Sequence, residues 1–149
     1  MTGDADMNAR GSCLCGAVTY NVSDMPTETV ACHCQMCRKQ SGGVALAIRV
    51  EADAIAFVDT EHIKIFASSA WAERGFCDIC GSTLFFRVSA ESPEKGVYYM
   101  SYGTVDDPGG ITLTSEIFVD HKPDGYSFSG SLHQMTEAEV FSMFGLQSE

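Results

Sequence analysis

The cysteines of this chain fall into three groups whose spacing is typical of metal ligands. The groups are Cys13 with Cys15, then Cys32, Cys34 and Cys37, and finally Cys77 with Cys80. A structural zinc ion takes four protein ligands, whereas a catalytic zinc ion takes three and leaves a position for water or substrate. The two outer pairs can form a closed site, and the middle triplet can form an open one. We therefore predict two zinc ions per chain, a structural one at the outer pairs and a catalytic one at the triplet.

A disulfide framework is the alternative explanation for seven cysteines. Small secreted domains use such frameworks, and they carry an export signal. The N-terminal residues MTGDADMNAR are polar and acidic, and no apolar run approaches the roughly 18 residues of a membrane-spanning helix. An odd number of cysteines would also leave one thiol unpaired. These features favour metal ligands and a soluble protein of the reducing cytoplasm, with no membrane partner.

The spacing within each group also indicates how the side chains point. Side chains at positions i and i+2 of an extended segment lie on the same side, so Cys32 and Cys34 can hold one ion while His33 faces away. Cys77 and Cys80, followed by Gly81, have the form of a zinc knuckle, in which the glycine permits a tight exit from the turn. A single such turn is a weak signal, but its combination with the distant Cys13–Cys15 pair is stronger.

Charge in this 149-residue chain is strongly negative overall, at −11, but is distributed unevenly. This total argues against a nucleic-acid partner, because phosphate contacts need clustered cations. The segment between Glu28 and Glu51 has no acidic residue and contains Arg38, Lys39 and Arg49. These cations near the triplet suit a small anionic ligand. Alternatively, they balance the net negative charge of three thiolates on zinc.

Hydrophobic periodicity predicts a mostly β protein with two short helices. The predicted helices are 35–40 and 136–144, the second opening with a capping box at Thr136 and Glu139 and ending at Gly145. Alternation and β-branched residues predict strands over 17–22, 44–50, 54–58, 63–67, 83–88, 97–102 and 116–119. Length and the absence of a linker predict one domain over residues 11–149, preceded by a flexible leader at residues 1–10.

Three segments of this chain resemble the glutathione-dependent formaldehyde-activating enzyme family, which also contains centromere protein V. The segments are Gly11–Val18, Cys32–Lys39 with Ser41 and Gly42, and Phe76–Leu84. Gly103–Pro108 and Ile117–Pro123 are similar to later segments of the family, so the resemblance covers roughly residues 11 to 126. The chain departs from many members at Asp124-Gly125-Tyr126, where they carry a tryptophan soon after the Lys-Pro pair.

This resemblance implies a fold, two metal sites and an activity. The fold would be a β-tent of packed antiparallel sheets. The metal sites would be a structural zinc on the two outer cysteine pairs and a catalytic zinc on the triplet. The activity would be that of a carbon–sulfur lyase, joining glutathione to formaldehyde to give S-(hydroxymethyl)glutathione. We expect Arg38, Lys39 and Arg49 to hold the glutathione carboxylates.

Two other functions remain open from the sequence. The first is a binding protein without turnover, either a zinc or thiol carrier or an interaction module. The second is a zinc lyase or hydrolase that acts on another small thiol adduct. The chromatin role of the centromere relative is disfavoured, because this acidic chain has no basic extension. Either an isolated chain or a homo-oligomer is compatible with the sequence.

Overall fold

The fold is mostly β, as predicted, in a computed structural model that describes residues 8–145. The two helices are α1, Gln35–Ser41, and α2, Glu137–Phe144. The strands are β1 Ala9–Ser12, β2 Thr19–Val22, β3 Glu28–Cys32, β4 Ala45–Val50, β5 Ile55–Phe57, β6 Ile63–Ala67, β7 Ala72–Cys77, β8 Thr83–Val88, β9 Tyr98–Ser101, β10 Thr112–Ile117 and β11 His133–Met135. No helix in this part of the chain is long and apolar enough to cross a membrane.

The strands form a three-stranded sheet and an eight-stranded sheet. The small sheet has the order β1-β2-β5, and the large one has the order β11-β10-β3-β4-β9-β8-β7-β6. Antiparallel pairing was predicted throughout, but β10 runs parallel to both β3 and β11. Parallel neighbours need a long connection that returns the chain to the same end of the sheet. Residues 118–132 provide one between β10 and β11, and the chain from β3 to β10 is longer still.

The main core lies where the small sheet packs on the large one. Tyr20 of β2 is fully buried, and its ring meets Phe57 of β5 at 5.9 Å between centroids. Phe57 in turn meets Phe85 of β8 at 5.8 Å. Gly75 of β7 pairs with Phe85, and a Cβ atom at this position would lie 2.4 Å from the Phe85 ring. Gly75 therefore has to be a glycine for the Phe85 ring to lie flat over β7.

Several predicted elements are confirmed, and others were missed. Both helices form, and Thr136 and Glu139 make the predicted capping box of α2, which ends at Gly145 in a left-handed conformation. Strands β1, β3, β7 and β11 were not predicted, and the strand expected at 116–119 lies instead at Thr112–Ile117. Most of the predicted leader, residues 1–7, lies outside the described residues. Its last two residues, Ala9 and Arg10, belong to β1 instead.

Candidate metal centres and the adjoining cavity

The four outer cysteines meet in one cluster, as predicted. Cys13 and Cys15 follow β1, Cys77 ends β7, and Cys80 lies in the next turn, and their four sulfur atoms lie within 4.8 Å of one another. The Sγ–Sγ distance is 3.7 Å from Cys13 to Cys15 and 3.8 Å from Cys15 to Cys77. Tetrahedral zinc with Zn–S bonds of about 2.3 Å requires about 3.8 Å between sulfurs, whereas a disulfide requires about 2.05 Å. The donor set therefore fits zinc.

Backbone and hydroxyl groups hold the sulfur atoms of this cluster in place. The amide of Val18 donates to Cys13 Sγ at 3.3 Å, and the amide of Ile79 donates to Cys77 Sγ at 3.4 Å. Gly81 leaves the Cys77 turn with a φ of +80°, as expected for the knuckle. The Ser82 hydroxyl lies 3.2 Å from Cys80 Sγ, and its hydrogen bond lowers the pKa of Cys80 to about 5. The Ser82 contact thus favours the thiolate form of Cys80, which is the form that binds metal.

The middle triplet is built where β3 passes into α1. Cys32 is the last residue of β3, Cys34 is the N-cap of α1, and Cys37 lies in its first turn. Cys34 Sγ accepts the Cys37 amide at 3.3 Å, and the three sulfur atoms lie within 4.8 Å of one another. Hydrogen bonds from Cys32 and Cys37 lower the pKa of Cys34, whereas those with Cys34 and Cys37 raise the pKa of Cys32 well above its ordinary value. A three-thiol donor set of this kind fits an open zinc site.

His33 lies between two of these cysteines but points into the protein, as its position in an extended segment predicted. Its side chain is fully buried, with Nε2 at 2.8 Å from Glu116 Oε1 and Nδ1 at 2.6 Å from the Tyr126 hydroxyl. Burial raises the pKa of Glu116, but hydrogen bonds from Gln134 and His33 outweigh it and hold that pKa below its ordinary value. The His33 network thus fixes the end of β3 that carries Cys32.

An aromatic cavity of about 600 Å³ opens beside the triplet. We use this name for the space lined by the cysteine triplet together with the rings of Trp71, Phe86, Tyr99, Phe118, Phe141 and Phe144. The Trp71 ring meets those of Phe86 and Phe141, each at 5.7 Å between centroids in edge-to-face geometry. Helix α2 forms one side of the cavity, with Val140, Phe141 and Phe144 facing inward.

Arg74 of β7 lines the cavity. It was not among the site residues predicted from the sequence. Its side chain is buried, with only 5% of the residue exposed. Its Nη2 donates to Cys37 Sγ at 3.6 Å, and its guanidinium carbon lies 5.0 Å from the centre of the Phe86 ring. Within residues 8–145, no hydrogen-bond acceptor reaches its Nε atom. Arg74 therefore places a positive charge beside the triplet, and its Nε–H group is available to donate a further hydrogen bond.

The family model of the "Glutathione-dependent formaldehyde-activating enzyme" matches residues 8–121. The chain belongs to this family. It is 30% identical over 130 residues to an "Uncharacterized lyase" of Schizosaccharomyces pombe, covering 87% of this chain and 92% of the relative. It is 38% identical over 87 residues to a "Putative glutathione-dependent formaldehyde-activating enzyme" of Halomonas elongata, covering 53% of this chain and 55% of the relative.

The fold has a counterpart among solved structures. The crystal structure of a Rhodobacter sphaeroides protein superposes with a TM-score of 0.56, covering 70% of this chain and 99% of the other. The two sequences are 21% identical, so this likeness concerns the fold alone.

Arg38, Lys39 and Arg49 were expected to hold glutathione. None of the three is among the residues that line the cavity. Lys39 is exposed on α1, and Arg38 is half-buried beside it with no partner for Nε among the described residues. Arg49 is bound on β4 by both carboxylate oxygens of Glu94, at 2.9 and 2.6 Å, and by Glu51. Arg49 is thus held by carboxylates, and it is not among the residues that line the cavity. Binding of glutathione by Arg38, Lys39 and Arg49 stays a prediction.

The segment Asp124-Gly125-Tyr126, in which this chain differs from many family members, contacts His33. Tyr126 supplies the hydroxyl beside His33 Nδ1, and its ring lies 5.5 Å from the imidazole. The Lys122 ammonium donates to the Tyr126 carbonyl oxygen and lies 5.2 Å from the centre of the Tyr126 ring. The segment after the Lys-Pro pair therefore packs behind β3, and it is not among the residues that line the aromatic cavity.

Proposed function

We propose that this chain is a zinc-dependent carbon–sulfur lyase that joins glutathione to formaldehyde at the cysteine triplet. The product would be S-(hydroxymethyl)glutathione. Membership of the family and the lyase name of the yeast relative support the reaction class. The observation that carries the proposal is the open triplet itself, with three sulfur atoms within 4.8 Å at a cavity and a buried arginine 3.6 Å from Cys37.

The proposed reaction conserves atoms and electrons without an oxidant. The glutathione sulfur forms a bond to the aldehyde carbon, the carbonyl π electrons move to oxygen, and the thiol proton ends on that oxygen. Zinc, when bound by Cys32, Cys34 and Cys37, supplies a thiol-binding position that lowers the pKa of the thiol. The cavity holds the two reactants together, which contributes much of the rate because the uncatalysed addition is itself facile.

Arg74 is suited to the charge that forms during this addition. As sulfur attacks, negative charge moves onto the aldehyde oxygen, and a preorganised donor in a water-poor site stabilises such charge strongly. The Nε of Arg74 is buried and has no acceptor within residues 8–145, so it is available for this role. Its neighbouring Nη2 stays on Cys37 Sγ. Arg74 would therefore hold the triplet with one nitrogen and the aldehyde oxygen with another.

The position of the other cluster supports a structural role for it. Cys15 and Cys77 are 62 residues apart in the chain, and the sulfur cluster links the β1–β2 turn of the small sheet to the end of β7 in the large sheet. A zinc ion bound by this closed set of four thiolates would contribute folding free energy directly. We propose two zinc ions per chain, one at each cluster.

The experiment that tests this function combines metal analysis with exchange kinetics. We expect two zinc ions per chain, and we expect the purified protein to speed exchange between ¹³C-formaldehyde and its glutathione adduct, as measured by NMR. Cys34→Ala should retain one zinc ion and its fold but lose the acceleration. Two bound zinc ions with no acceleration for any thiol–aldehyde pair would instead identify a binding protein without turnover.

A further inference from the structure

The aromatic cavity is far larger than formaldehyde requires. Formaldehyde has only two heavy atoms, whereas the cavity has a volume of about 600 Å³. Pockets of about 300–1,000 Å³ are those that enclose most of a drug-sized ligand. The cavity therefore has room for a larger part of the substrates.

The cavity wall does not suit the peptide part of glutathione. That part carries two carboxylates and an ammonium group, and burying such charges without partners is costly. Arg74 is the one lysine or arginine among the described residues of the wall, and its Nη2 is already bound to Cys37. The nearest other cations in sequence, Arg38 and Lys39, lie on α1 and do not line the cavity. We therefore expect the charged groups of glutathione to lie outside the aromatic cavity.

We infer that this site also takes aldehydes that carry an apolar chain or ring, which fills the aromatic cavity while the glutathione peptide lies outside it. This inference rests on the proposed function and names its second substrate class. The reaction is the same addition. Sulfur bonds to the aldehyde carbon, the carbonyl π bond breaks, and the thiol proton ends on oxygen to give a hemithioacetal. Edge-to-face rings such as Trp71 and Phe141 are well suited to an apolar chain or an aromatic group.

A homologous series of aldehydes tests the inference with the zinc-loaded protein. We expect kcat/KM with glutathione to rise about fourfold for each methylene from acetaldehyde to hexanal, since each buried methylene is transferred out of water. A flat or falling series, with formaldehyde accelerated as well as hexanal, would overturn this inference and leave the proposed function intact. Absence of acceleration with every aldehyde would overturn both.

Binding can be measured without turnover, because Trp71 is the single tryptophan of the chain and lines the cavity. Hexanol is an unreactive counterpart of hexanal and should change the tryptophan fluorescence with saturation. Methanol at the same concentrations should not. Equal, non-saturating responses to the two alcohols would overturn the assignment of an apolar group to this cavity.

Two substitutions in the cavity wall and one matched control locate the effect. Phe141→Ala removes a ring that contacts Trp71 and should reduce hexanal kcat/KM by about two- to tenfold relative to formaldehyde. Ala47→Leu adds bulk to the wall from β4 and should reduce the same ratio. Met143→Ala lies on the same helix with 58% of the residue exposed, outside the cavity lining, and should leave the ratio unchanged.

Ala47→Leu also keeps the test decisive if Phe141→Ala fails to fold. The change from alanine to leucine adds carbon atoms at the cavity wall and removes no existing contact. An unchanged ratio between hexanal and formaldehyde in the folded wall variants would overturn the inference. A reduced ratio in Met143→Ala, equal to that of the wall variants, would also overturn it, because the effect would then come from α2 as a whole.

Discussion

Replacing Arg74 with methionine tests whether this buried cation takes part in the reaction. Methionine keeps the apolar stem of the side chain but removes the guanidinium that donates to Cys37 Sγ and lies over Phe86. A hydrogen bond to a charged group contributes about 1.5–3 kcal/mol. If the aldehyde oxygen uses one such bond only in the transition state, kcat/KM should fall about 10- to 150-fold.

The effect of this substitution on folding should be much smaller. Loss of the contact with Phe86 removes roughly 0.5–2 kcal/mol of cation–π attraction. The substitution also removes the buried Nε that has no acceptor among the described residues, and leaving such a group unpaired is itself costly. Because the two changes oppose each other, we expect the urea midpoint to move little.

Arg87 provides a matched control on the neighbouring strand. Its guanidinium carbon also lies 5.0 Å from an aromatic ring, that of Tyr98, and its Nε likewise lacks an acceptor in residues 8–145. It pairs with Glu73 at 3.4 Å and does not line the cavity. Arg87→Met should therefore leave kcat/KM unchanged.

The assay is the rate of adduct formation, measured together with zinc content for the Arg74→Met and Arg87→Met variants. An unchanged rate in Arg74→Met would refute the proposed role. A fall in rate matched by an equal fall in zinc content would refute it as well. In that case the arginine only balances the negative charge of the thiolates.

Three further predictions concern the metal sites, a surface ion pair and the core. Cys77→Ser should lower the melting temperature sharply by removing a ligand worth several kcal/mol, whereas Cys34→Ala should lose one zinc ion and melt nearly normally; equal losses would contradict two distinct sites. Hydrogen bonds from its arginine partner lower the pKa of Glu94, so this carboxylate stabilises the fold above its ordinary pKa of 4.5 and ceases to do so as pH falls further. Glu94→Gln should therefore show a lower urea midpoint at pH 7, with the gap closing on acidification; a gap independent of pH would contradict this. Gly75→Ala should cost about 1–3 kcal/mol in urea unfolding, because the new methyl group meets a buried ring at 2.4 Å, whereas Gly43→Ala, with open space around it, should be nearly neutral; equal effects would contradict the packing argument.

The sequence was sufficient for the direction of the side chains within each cysteine segment because that geometry is local. An extended segment places Cys32 and Cys34 on one side and His33 on the other, and the structure agrees. The capping box of α2 could be predicted for the same reason. In each case, neighbouring residues determine where the side chain points.

Arg74 and Arg49 show what the sequence could not supply. Strand β7 contains Ala72, Glu73 and Gly75, which are uncommon in strands, and it pairs with β6 and β8 on either side. Local propensity therefore did not predict it. Arg49 stands near the triplet in sequence, but its partner Glu94 is 45 residues away. Charge counted along the chain therefore missed Arg74, which strand pairing places beside Cys37, and did not reveal that Arg49 pairs with Glu94.

The order of strands in the large sheet has a consequence for how the chain acquires its structure. Strand β3 pairs with β10, β4 with β9, and Cys15 meets Cys77 only after these distant segments assemble. Sheets that depend on such non-local pairing fold in milliseconds to seconds, far more slowly than helical bundles. All seven thiols stay accessible to oxidants during that interval. A sulfur atom that is oxidised before the strands pair can no longer serve as a thiolate in its cluster. Recovery of native protein from denaturant therefore depends on a reductant being present before the strands pair.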